Sequence, residues 1–387
     1  MKSPPQGWRW ALSRDEMAAS IAPRIGLNLL YLQPGRLGGT ETYAKELIKQ
    51  YAQIPSPFKF VLFLNRDSYD DLQVSGEQFC KVLVPIEKGN PLKRHAIEQA
   101  VLPWLIRKHG IDILHSMGYV CPLFASSLHI VTIHDMLYKR HPEYLPTGKR
   151  VFWQVFIPLS VRRATKVVAV SETTRQDVIK FLRAAPEKVV SIPSGINPVE
   201  TATAEQIAAV RQRYGIRGSY ILTVGCGKHK RVDLIENSLR ELSGLQLVVT
   251  GLPDSGVIPA NAPEAVRYLG FVNSEDMPPL YAGARAYVTA SEMEGFGFTV
   301  LEAMMADTPV ICSDAGSLPE ICGDAALIVY AQDAREYAQA IKKVCFGEGI
   351  RDELIARGRR RVREFPWRAS AEKHLSLYAE LSGAVLP

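Results

Sequence analysis

Short runs of consecutive apolar residues alternate along the chain with segments of helical periodicity, starting at Arg24. Runs such as IGLNLLY (25–31) and YILTVG (220–225) are mostly apolar at consecutive positions, rather than at every second position. Continuous apolar runs indicate strands buried on both faces, as in parallel sheets that are covered by helices. The pattern therefore predicts an α/β protein with doubly wound parallel sheets.

The predicted strands fall into two sets. The first set covers residues 25–31, 58–65, 111–116, 128–135, 166–171 and 188–193, and the second covers 220–225, 245–251, 266–272, 284–291, 309–314 and 326–330. A chain of 387 residues is long enough for two domains of ordinary size. We therefore expect two sheets, one from each set.

The segment PSGINPVE separates the two sets and predicts a linker. We expect an N-terminal extension over residues 1–23, a first domain over 24–197 and a second domain over 198–365. The tail FPWRASAEKHLSLYAELSG predicts a last amphipathic helix, within residues 366–387, that packs back on the first domain. Since ligands of open α/β sheets bind beyond the carboxyl ends of the strands, two such domains facing each other predict a binding cleft between them.

The stretch EGFGFTVLE (294–302) lies between a predicted strand and a helix that begins at Phe298. Glycines in such a turn allow the backbone to come close to a ligand, and the helix start presents unpaired N–H groups to an anion. Glu294 lies on the turn and Glu302 more than one helical turn further on, so the two are not an equivalent acid/base pair. One can contact the reacting end of a ligand and the other a more distant hydroxyl. Alternatively, Glu294 is solvated and Glu302 pairs on a helix face.

The longer stretch EGFGFTVLEAMMADTPVICSDAGSLPEICGDAAL resembles the E-x7-E region of the retaining GT-B glycosyltransferases of the family 4 group, which use nucleotide-sugar donors. RLGGTETYAKEL (36–47) is similar to the family's glycine-rich loop after the first strand. VTIHDMLYKRHPEYLP (131–146), RRATKVVAVSETTRQDVIK (162–180) and VVSIPSGIN (189–197) look like the acceptor domain of its mannosyltransferase-like members. The resemblance implies the GT-B fold, in which two Rossmann-like domains face each other across a cleft.

The resemblance also implies roles for the turn. Glu294 matches the glutamate that contacts the sugar at the reacting site, and Glu302 matches the one that holds the nucleotide ribose. Gly295, Phe296 and Gly297 match the turn whose backbone contacts the sugar and the phosphates.

In the first domain, the resemblance points to one loop and one histidine. Gly38 and Gly39 match the loop near the diphosphate. His134 ends an apolar run and by itself fits a buried core histidine, whereas the resemblance implies a contact with the donor sugar.

Family members also carry an arginine and a lysine after the first strand of the second domain, where this chain reads VGCGKHKRVDLIE. Lys230 matches the lysine, and Gly225 is assigned to donor binding with it. A cysteine or a histidine stands at the usual arginine position, so Lys228 and Arg231 both stay open as the second cation that binds the phosphates.

Transfer of a glycosyl group from a nucleotide diphosphate leaves negative charge on the departing phosphate. Lys230, a second cation and glycine N–H groups would stabilise that charge. We expect His134, Lys230 and Glu294 to be the catalytic residues. The sequence has no D-x-D triplet, which favours phosphate binding without a metal, and we expect no cofactor.

The expected function is therefore the transfer of a hexosyl group with retention, to a hydroxyl of a glycan or lipid-linked glycan, in polysaccharide or glycoconjugate biosynthesis. Members that use GDP-mannose match best, while a UDP- or dTDP-sugar donor and a non-catalytic nucleotide-sugar binding subunit remain alternatives. A glycoside hydrolase would need two carboxylates flanking one bond, which the turn and its helix do not supply. A nicotinamide-dependent oxidoreductase would need G-x-G-x-x-G, of which VGCGKHKR has only the first two glycines.

Charge is uneven along the chain, with 26 Lys and Arg against 17 Asp and Glu in residues 1–200, and 20 against 23 in residues 201–387. A basic first half fits a phosphorylated ligand or an anionic membrane surface better than nucleic acid, for which we expect a denser basic stripe. The segment GKRVFWQVFIPLSVRRATK (148–166) mixes aromatic and basic residues, and it fits either a helix on a membrane surface or a buried helix with basic ends.

The cysteines and the chain start bear on location. Six cysteines occur without a C-x-x-C pair, which is typical of reduced residues in a cytoplasmic protein. The start MKSPPQGWRWALSRDEMAAS lacks the unbroken apolar segment of a signal peptide. We expect a cytoplasmic protein, located at the inner face of the membrane if the helix of residues 148–166 binds there.

Overall fold

The computed structural model describes residues 22–35, 38–86, 91–198, 201–251, 263–330 and 332–386. Within them the chain forms two parallel β-sheets with helices in the crossover connections. The predicted α/β class with two doubly wound sheets is confirmed. Of the predicted N-terminal extension, residues 1–21 lie outside the described part of the chain.

The first sheet contains seven strands and the second contains six. The strands of the first sheet are β1 (Arg24–Asn28), β2 (Lys59–Leu64), β3 (Phe79–Leu83), β4 (Ile113–Ser116), β5 (Leu128–Ile133), β6 (Lys166–Ala169) and β7 (Val189–Ser191). Those of the second sheet are β8 (Ser219–Val224), β9 (Leu245–Thr250), β10 (Val266–Gly270), β11 (Ala286–Thr289), β12 (Val310–Ser313) and β13 (Ala326–Val329).

The helices connect these strands and flank the sheets. Those of the first half are α1 (Gly39–Gln53), α2 (Arg66–Asp71), α3 (Pro91–Ala100), α4 (Leu102–Lys108), α5 (Leu137–Arg140), α6 (Thr147–Arg163) and α7 (Glu172–Leu182). Those of the second half are α8 (Ala204–Arg213), α9 (Val232–Ser238), α10 (Met277–Ala282), α11 (Phe298–Met305), α12 (Leu318–Cys322), α13 (Ala334–Phe346), α14 (Ile350–Arg361) and α15 (Trp367–Ser382).

The strand order is β3-β2-β1-β4-β5-β6-β7 in the first sheet and β10-β9-β8-β11-β12-β13 in the second. In each sheet the order reverses beside the first strand, between β1 and β4 and between β8 and β11. Helices leave on opposite faces on the two sides of such a reversal, so a crevice opens there at the carboxyl ends of the strands. The loops after β1, β4, β8 and β11 therefore lie where a ligand is expected.

All the predicted strands are present, but β3 was not predicted. It lies at the edge of the first sheet, and its five side chains are exposed or half-buried, with Lys81 in the middle. An edge strand of this kind lacks the continuous apolar run on which the prediction depended.

Side chains of the sheet strands alternate between two apolar layers. Leu62 of β2 belongs to the largest hydrophobic cluster, whereas Val61 and Phe63 of the same strand belong to a separate cluster. The largest cluster extends through both halves of the molecule, from Leu27 of β1 to Leu301 of α11. The two sheets are therefore joined by continuous apolar packing.

The last helix, α15, packs against α1 at the start of the chain. The Tyr43 hydroxyl lies 2.8 Å from His374 Nε2, and the Tyr51 hydroxyl lies 3.2 Å from the Tyr378 hydroxyl. His115 of β4 also contacts the Tyr378 hydroxyl, through Nδ1 at 2.7 Å. The chain thus returns from the second sheet, and its C-terminal helix completes the core of the first sheet.

Helix α6 has two kinds of surface. Ile157, Ser160 and Val161 are buried, whereas Val151, Val155 and Leu159 are exposed at intervals of four residues. Among the described residues, no helix combines the length and the apolar character that a membrane span requires.

Candidate active site

The turn of residues 294–297 joins β11 to α11 at the carboxyl edge of the second sheet. Gly297 has φ 99°, a conformation that glycine adopts readily, and no side chain caps the helix that follows. The first N–H groups of α11 therefore remain available to an anion. The Phe296 ring is buried against Phe298 and Phe365, with centroids 5.1 and 5.7 Å away, so only the backbone of Phe296 can contact a ligand.

A serine that the sequence reasoning did not single out fixes this turn. The Ser317 hydroxyl donates to the carbonyls of Glu294 and Phe296, at 3.1 and 2.9 Å, and the Ser317 N–H donates to the Glu294 carbonyl as well. A Cβ at Gly316 would come within 2.4 Å of the same carbonyl. Residues 315–317 thus fit closely against the turn.

The Glu294 carboxylate forms an ion pair with Lys230, which reaches it from the segment after β8. The Ser291 hydroxyl also donates to it, at 2.7 Å. Burial opposes ionisation of this carboxyl, but the charge and hydrogen bond of Lys230, with the Ser291 bond, outweigh burial and lower its pKa. Glu294 is therefore an anion at neutral pH and acts here as a hydrogen-bond acceptor.

The Lys230 side chain passes close to Gly225. This glycine has φ 82°, and a Cβ on it would lie 3.3 Å from Lys230 Cε. The Gly225 N–H is held by the Thr250 carbonyl at 3.0 Å, which fixes the loop between β8 and the start of α9.

Arg231 is oriented by carboxylates in this structure. Its Nη1 lies 2.7 Å from Glu292, and its Nε and Nη2 lie 3.0 and 3.1 Å from the two oxygens of Asp233. It adopts φ 47°, one of the few non-glycine residues described with a positive φ. A phosphate at Arg231 would have to compete with both carboxylates. Lys228 lies on the short 3-10 turn of residues 228–230, next to Lys230.

Glu302 lies on the second turn of α11 and has different hydrogen-bond partners from Glu294. It accepts a hydrogen bond from the Tyr281 hydroxyl at 2.8 Å, and burial raises the pKa of its carboxyl. It lines a cavity of about 220 Å³ together with Ser274 and Met277, which follow β10, and with Met305. A carboxylate at the wall of a mostly apolar cavity of this size is suited to bind hydroxyl groups of a ligand.

His134, which follows β5, is a first-domain residue that lies directly beside the turn. Its Nε2 lies 2.7 Å from the Met117 carbonyl, which can only accept, so Nε2 carries the proton and Nδ1 is an acceptor in the neutral ring. Burial lowers its pKa, and the Tyr43 ring packs edge-on at a centroid distance of 5.0 Å. His134 is thus a buried neutral histidine whose Nδ1 can accept a hydrogen bond from a ligand hydroxyl.

The two domains meet at the glycines. A Cβ on Gly295 would lie 1.8 Å from the His134 carbonyl oxygen, and a Cβ on Gly39 would lie 2.9 Å from the Phe298 ring. Gly38, with φ 52°, precedes α1 and is exposed, while the adjoining residues 36 and 37 lie outside the described part of the chain. Glycine is therefore required where the first-domain loops contact the EGFGF turn.

Polar contacts also cross between the domains, and sequence reasoning missed the two that follow. The Glu320 carboxylate accepts the N–H groups of Glu172 and Thr173, at 2.8 and 2.9 Å, and so caps α7 of the other domain. The Tyr144 hydroxyl donates to Glu292, the partner of Arg231. Each partner lies about 150 residues away along the chain, so local sequence gave no signal for either pair.

Known proteins match both halves of the chain. Residues 37–200 match the model described as Glycosyltransferase Family 4, and residues 218–345 match the model described as Glycosyl transferases group 1. The chain belongs to the family 4 group of glycosyltransferases. Its two sheets and their strand orders are those of the GT-B fold, and the glycosyltransferase prediction is confirmed at this level.

Relatives agree with this assignment. The O-antigen chain mannosyltransferase B of Escherichia coli is 25% identical over 375 residues, covering 88% of this chain and 96% of the relative. The D-inositol 3-phosphate glycosyltransferase of Kineococcus radiotolerans is 30% identical over 250 residues, covering 56% of this chain and 58% of the relative.

Solved structures share the GT-B fold. The sucrose-phosphate synthase of Thermosynechococcus elongatus superposes with a TM-score of 0.76 at 20% identity, covering 94% of this chain and 100% of that chain. Anabaena HepE in complex with UDP and glucose superposes with a TM-score of 0.71 at 17% identity, covering 92% and 100%.

Proposed function

We propose that this GT-B glycosyltransferase transfers a mannosyl group from GDP-mannose to a hydroxyl of a glycan or lipid-linked glycan, with retention and without a metal. The observation that carries the proposal is the Lys230–Glu294 pair in a glycine turn that faces His134. This arrangement brings a cation, an anion and a neutral hydrogen-bond acceptor together where the two domains meet, which supports a sugar diphosphate as the ligand.

In the proposed reaction, the bond between the anomeric carbon and the diphosphate breaks, and both bonding electrons leave with the phosphate oxygen. Lys230 and the N–H groups at the start of α11 stabilise that negative charge. The acceptor hydroxyl attacks the face from which the phosphate departs, and a phosphate oxygen takes the hydroxyl proton. Glu294 and His134 Nδ1 hold hydroxyl groups of the sugar, and Glu302 holds the ribose beside its cavity.

The donor is proposed from the mannosyltransferase relative, which is aligned over nearly its whole length. The test is nucleotide release by the purified protein with GDP-, UDP-, dTDP- and ADP-sugars, each with and without a mixture of glycan acceptors. We expect release with GDP-mannose, dependent on acceptor and unchanged by EDTA. Release with another donor alone would overturn the choice of GDP-mannose, and loss of turnover in EDTA would overturn metal independence.

A UDP-sugar is the second candidate donor, since the HepE structure, which shares the fold, contains UDP and glucose. A protein that binds one of these nucleotide sugars but releases no nucleotide with any acceptor would instead be a binding subunit.

We also propose that α6 contacts an anionic membrane surface. Its exposed Val151, Val155 and Leu159 form one apolar stripe, and Arg150 and Arg162 lie near its two ends. Sedimentation with vesicles of phosphatidylglycerol, compared with phosphatidylcholine, tests this contact. We expect binding to the anionic vesicles alone and its loss in Val155→Asp. Equal recovery of wild type and variant would contradict the proposal.

A further inference from the structure

A group of polar and aromatic side chains lies in the first domain, next to His134 but outside the donor residues. It contains Arg94 of α3, Tyr31 after β1, Tyr119 after β4, and Lys149 and Trp153 of α6. These residues come from four separate segments at the carboxyl edge of the first sheet. We call them the first-domain cluster.

Arg94 is the inner cation of this cluster. Its side chain is half-buried, and its buried Nε–H has no hydrogen-bond acceptor among the described residues. Its Nη2 donates to His95 Nε2 at 2.8 Å, and His95 Nδ1 contacts the Glu98 carboxylate at 3.2 Å. The other Glu98 oxygen accepts a hydrogen bond from the Asn28 amide at 2.5 Å. Arg94 is thus oriented through the His95 ring, and it forms no close ion pair within the described part of the chain.

Lys149 is the outer cation. It is exposed, and its ammonium lies 4.4 Å from the Trp153 ring centroid, a cation–π contact that leaves its hydrogen-bond donors available. In the described part of the chain it forms no ion pair. Glu98 lies close enough to Arg94, and Asp135 to Lys149, to favour the charged forms, but neither cation forms a close ion pair among the described residues. Their N–H donors therefore remain available to an anion.

The aromatic members connect the cations to the reacting site. Trp153 stacks on Tyr119 with ring centroids 5.3 Å apart, and Tyr119 lies 5.4 Å from the His134 ring. The Tyr119 hydroxyl donates to Asp135 at 2.6 Å, and a Cβ on Gly295 would lie 3.1 Å from Asp135. The cluster is therefore linked to the EGFGF turn by a series of direct contacts.

Tyr119 carries backbone strain at this position. It has φ 64°, a left-handed conformation that is costly for a bulky aromatic residue. The Tyr31 ring fits against Gly118, where a Cβ would come within 2.6 Å of it. This packing holds Tyr119 in place, as expected where a side chain must be presented to a ligand.

We propose that the first-domain cluster binds a phosphoryl group carried by the acceptor sugar, and that Arg94 and Lys149 donate hydrogen bonds to its oxygens. The proposal rests on the proposed glycosyl transfer, and it names the acceptor class as a sugar phosphate or a lipid-linked sugar phosphate. Arginine and lysine both bind phosphate oxygens through charge-assisted hydrogen bonds. The sugar then lies along the Tyr119 side of the cluster, with its hydroxyl toward Gly295.

Direct binding tests this without an identified acceptor. Ligand-observed NMR would compare mannose, glucose and galactose 1-phosphates with the matching methyl glycosides, on wild type and on Arg94→Gln, Lys149→Gln, Lys230→Ala and the control Lys59→Gln. Lys59 is an exposed lysine at the amino end of β2. We expect wild type and the control to bind at least one phosphate about tenfold more tightly than its glycoside. Arg94→Gln and Lys149→Gln should lose this preference, and Lys230→Ala should keep it.

Equal binding of phosphates and glycosides by wild type would overturn the proposal. So would a preference that disappears in Lys230→Ala but survives in both cluster variants, because the phosphate would then occupy the donor site. Lys149 is exposed, so Lys149→Gln tests the proposal even if Arg94→Gln does not fold.

Two further measurements complete the test. One distinguishes a lipid-linked from a soluble phosphate, and the other distinguishes failure of this proposal from failure of the proposed glycosyl transfer. Tighter binding of octyl mannosyl phosphate than of mannose 1-phosphate assigns a lipid-linked acceptor, and the reverse assigns a soluble one. Donor affinity of the cluster variants should equal that of wild type. If no nucleotide sugar turns over but the phosphate preference depends on Arg94 and Lys149, glycosyl transfer fails while the anion site stands.

Discussion

Lys230 has two candidate partners, the Glu294 carboxylate that it contacts and the departing phosphate of the proposed reaction. Because Glu294 is held independently by Ser291, Lys230 can turn toward a phosphate without leaving that carboxylate wholly unsatisfied. The ion pair thus orients the lysine before the donor binds. The sequence predicted both residues, but not their contact, because they lie 64 positions apart.

Lys230→Ala should lower turnover by about 10²- to 10³-fold, the effect of removing one group that stabilises developing negative charge. Steady-state kinetics with the donor found above would measure it. Lys342→Ala, which removes an exposed lysine of the same domain, is the control and should leave turnover unchanged. A Lys230→Ala enzyme as fast as wild type would exclude this lysine from the mechanism.

Glu302→Gln should weaken donor binding about ten- to hundredfold with a smaller effect on kcat, because a hydrogen bond to a charged acceptor is worth roughly 1.5–3 kcal/mol. Burial raises the pKa of Glu302, so acidification protonates it before an ordinary glutamate. Donor affinity of the wild type should therefore fall as the pH decreases toward that raised pKa, and the glutamine variant should lack this dependence.

The donor Kd, measured by calorimetry across pH, checks both expectations for Glu302. Glu336→Gln, on the exposed side of α13, is the matched control. An unchanged Kd in Glu302→Gln would contradict the ribose role.

At the scale of elements, the EGFGF turn packs so closely against the first domain that Gly295 has no room for a side chain. The Gly295→Ala methyl would lie 1.8 Å from the His134 carbonyl, but the two residues belong to different domains, so the clash is relieved when the domains separate. We expect a variant that folds normally but reacts roughly 10²-fold more slowly, the effect of a small misplacement of reacting groups.

Kinetics combined with small-angle scattering would check the Gly295→Ala expectation, since a more open molecule has a larger radius of gyration. Gly148→Ala, where a Cβ meets nothing within 4 Å, serves as control. Normal turnover in Gly295→Ala would show that this approach of the two domains is unnecessary for the reaction.

The elements also show what sequence can predict. Strands buried on both faces appear in the sequence as apolar runs, so β1 and β8 were predicted. The half-exposed edge strand β3 has no such run and was not predicted. The turn of residues 294–297 was predicted because its glycines and the helix after it are local signals. The cap of α7 by Glu320 could not be predicted, because it exists only once two separately formed domains meet.

For the whole molecule, stability depends on buried neutral histidines between α15 and the first sheet. Burial lowers the pKa of His374 to about 4, and it lowers the pKa of His115 as well. The unfolded chain binds protons on these rings near pH 6.5, and the folded chain does so only at lower pH. Stability should therefore be fully present above about pH 6.5 and decrease as the pH falls toward 4, by up to roughly 3 kcal/mol for His374.

Urea unfolding at pH 7.5, 6 and 5 would measure this dependence. His374→Gln should be less stable at pH 7.5, because it loses the contact with Tyr43, but should lose less stability on acidification than the wild type does. Equal slopes for the two proteins would show that His374 does not titrate in this range.

The return of α15 to α1 also has a consequence for biosynthesis. A ribosome releases the strands of the first sheet early, yet Tyr43 and Tyr51 can contact His374 and Tyr378 only after residues 367–382 have emerged. The domain that is made first is thus finished last. Until α15 has emerged, the nascent core of the first domain exposes an apolar face that chaperones can bind. A premature stop near residue 366 would leave both sheets translated but the first without its closing helix.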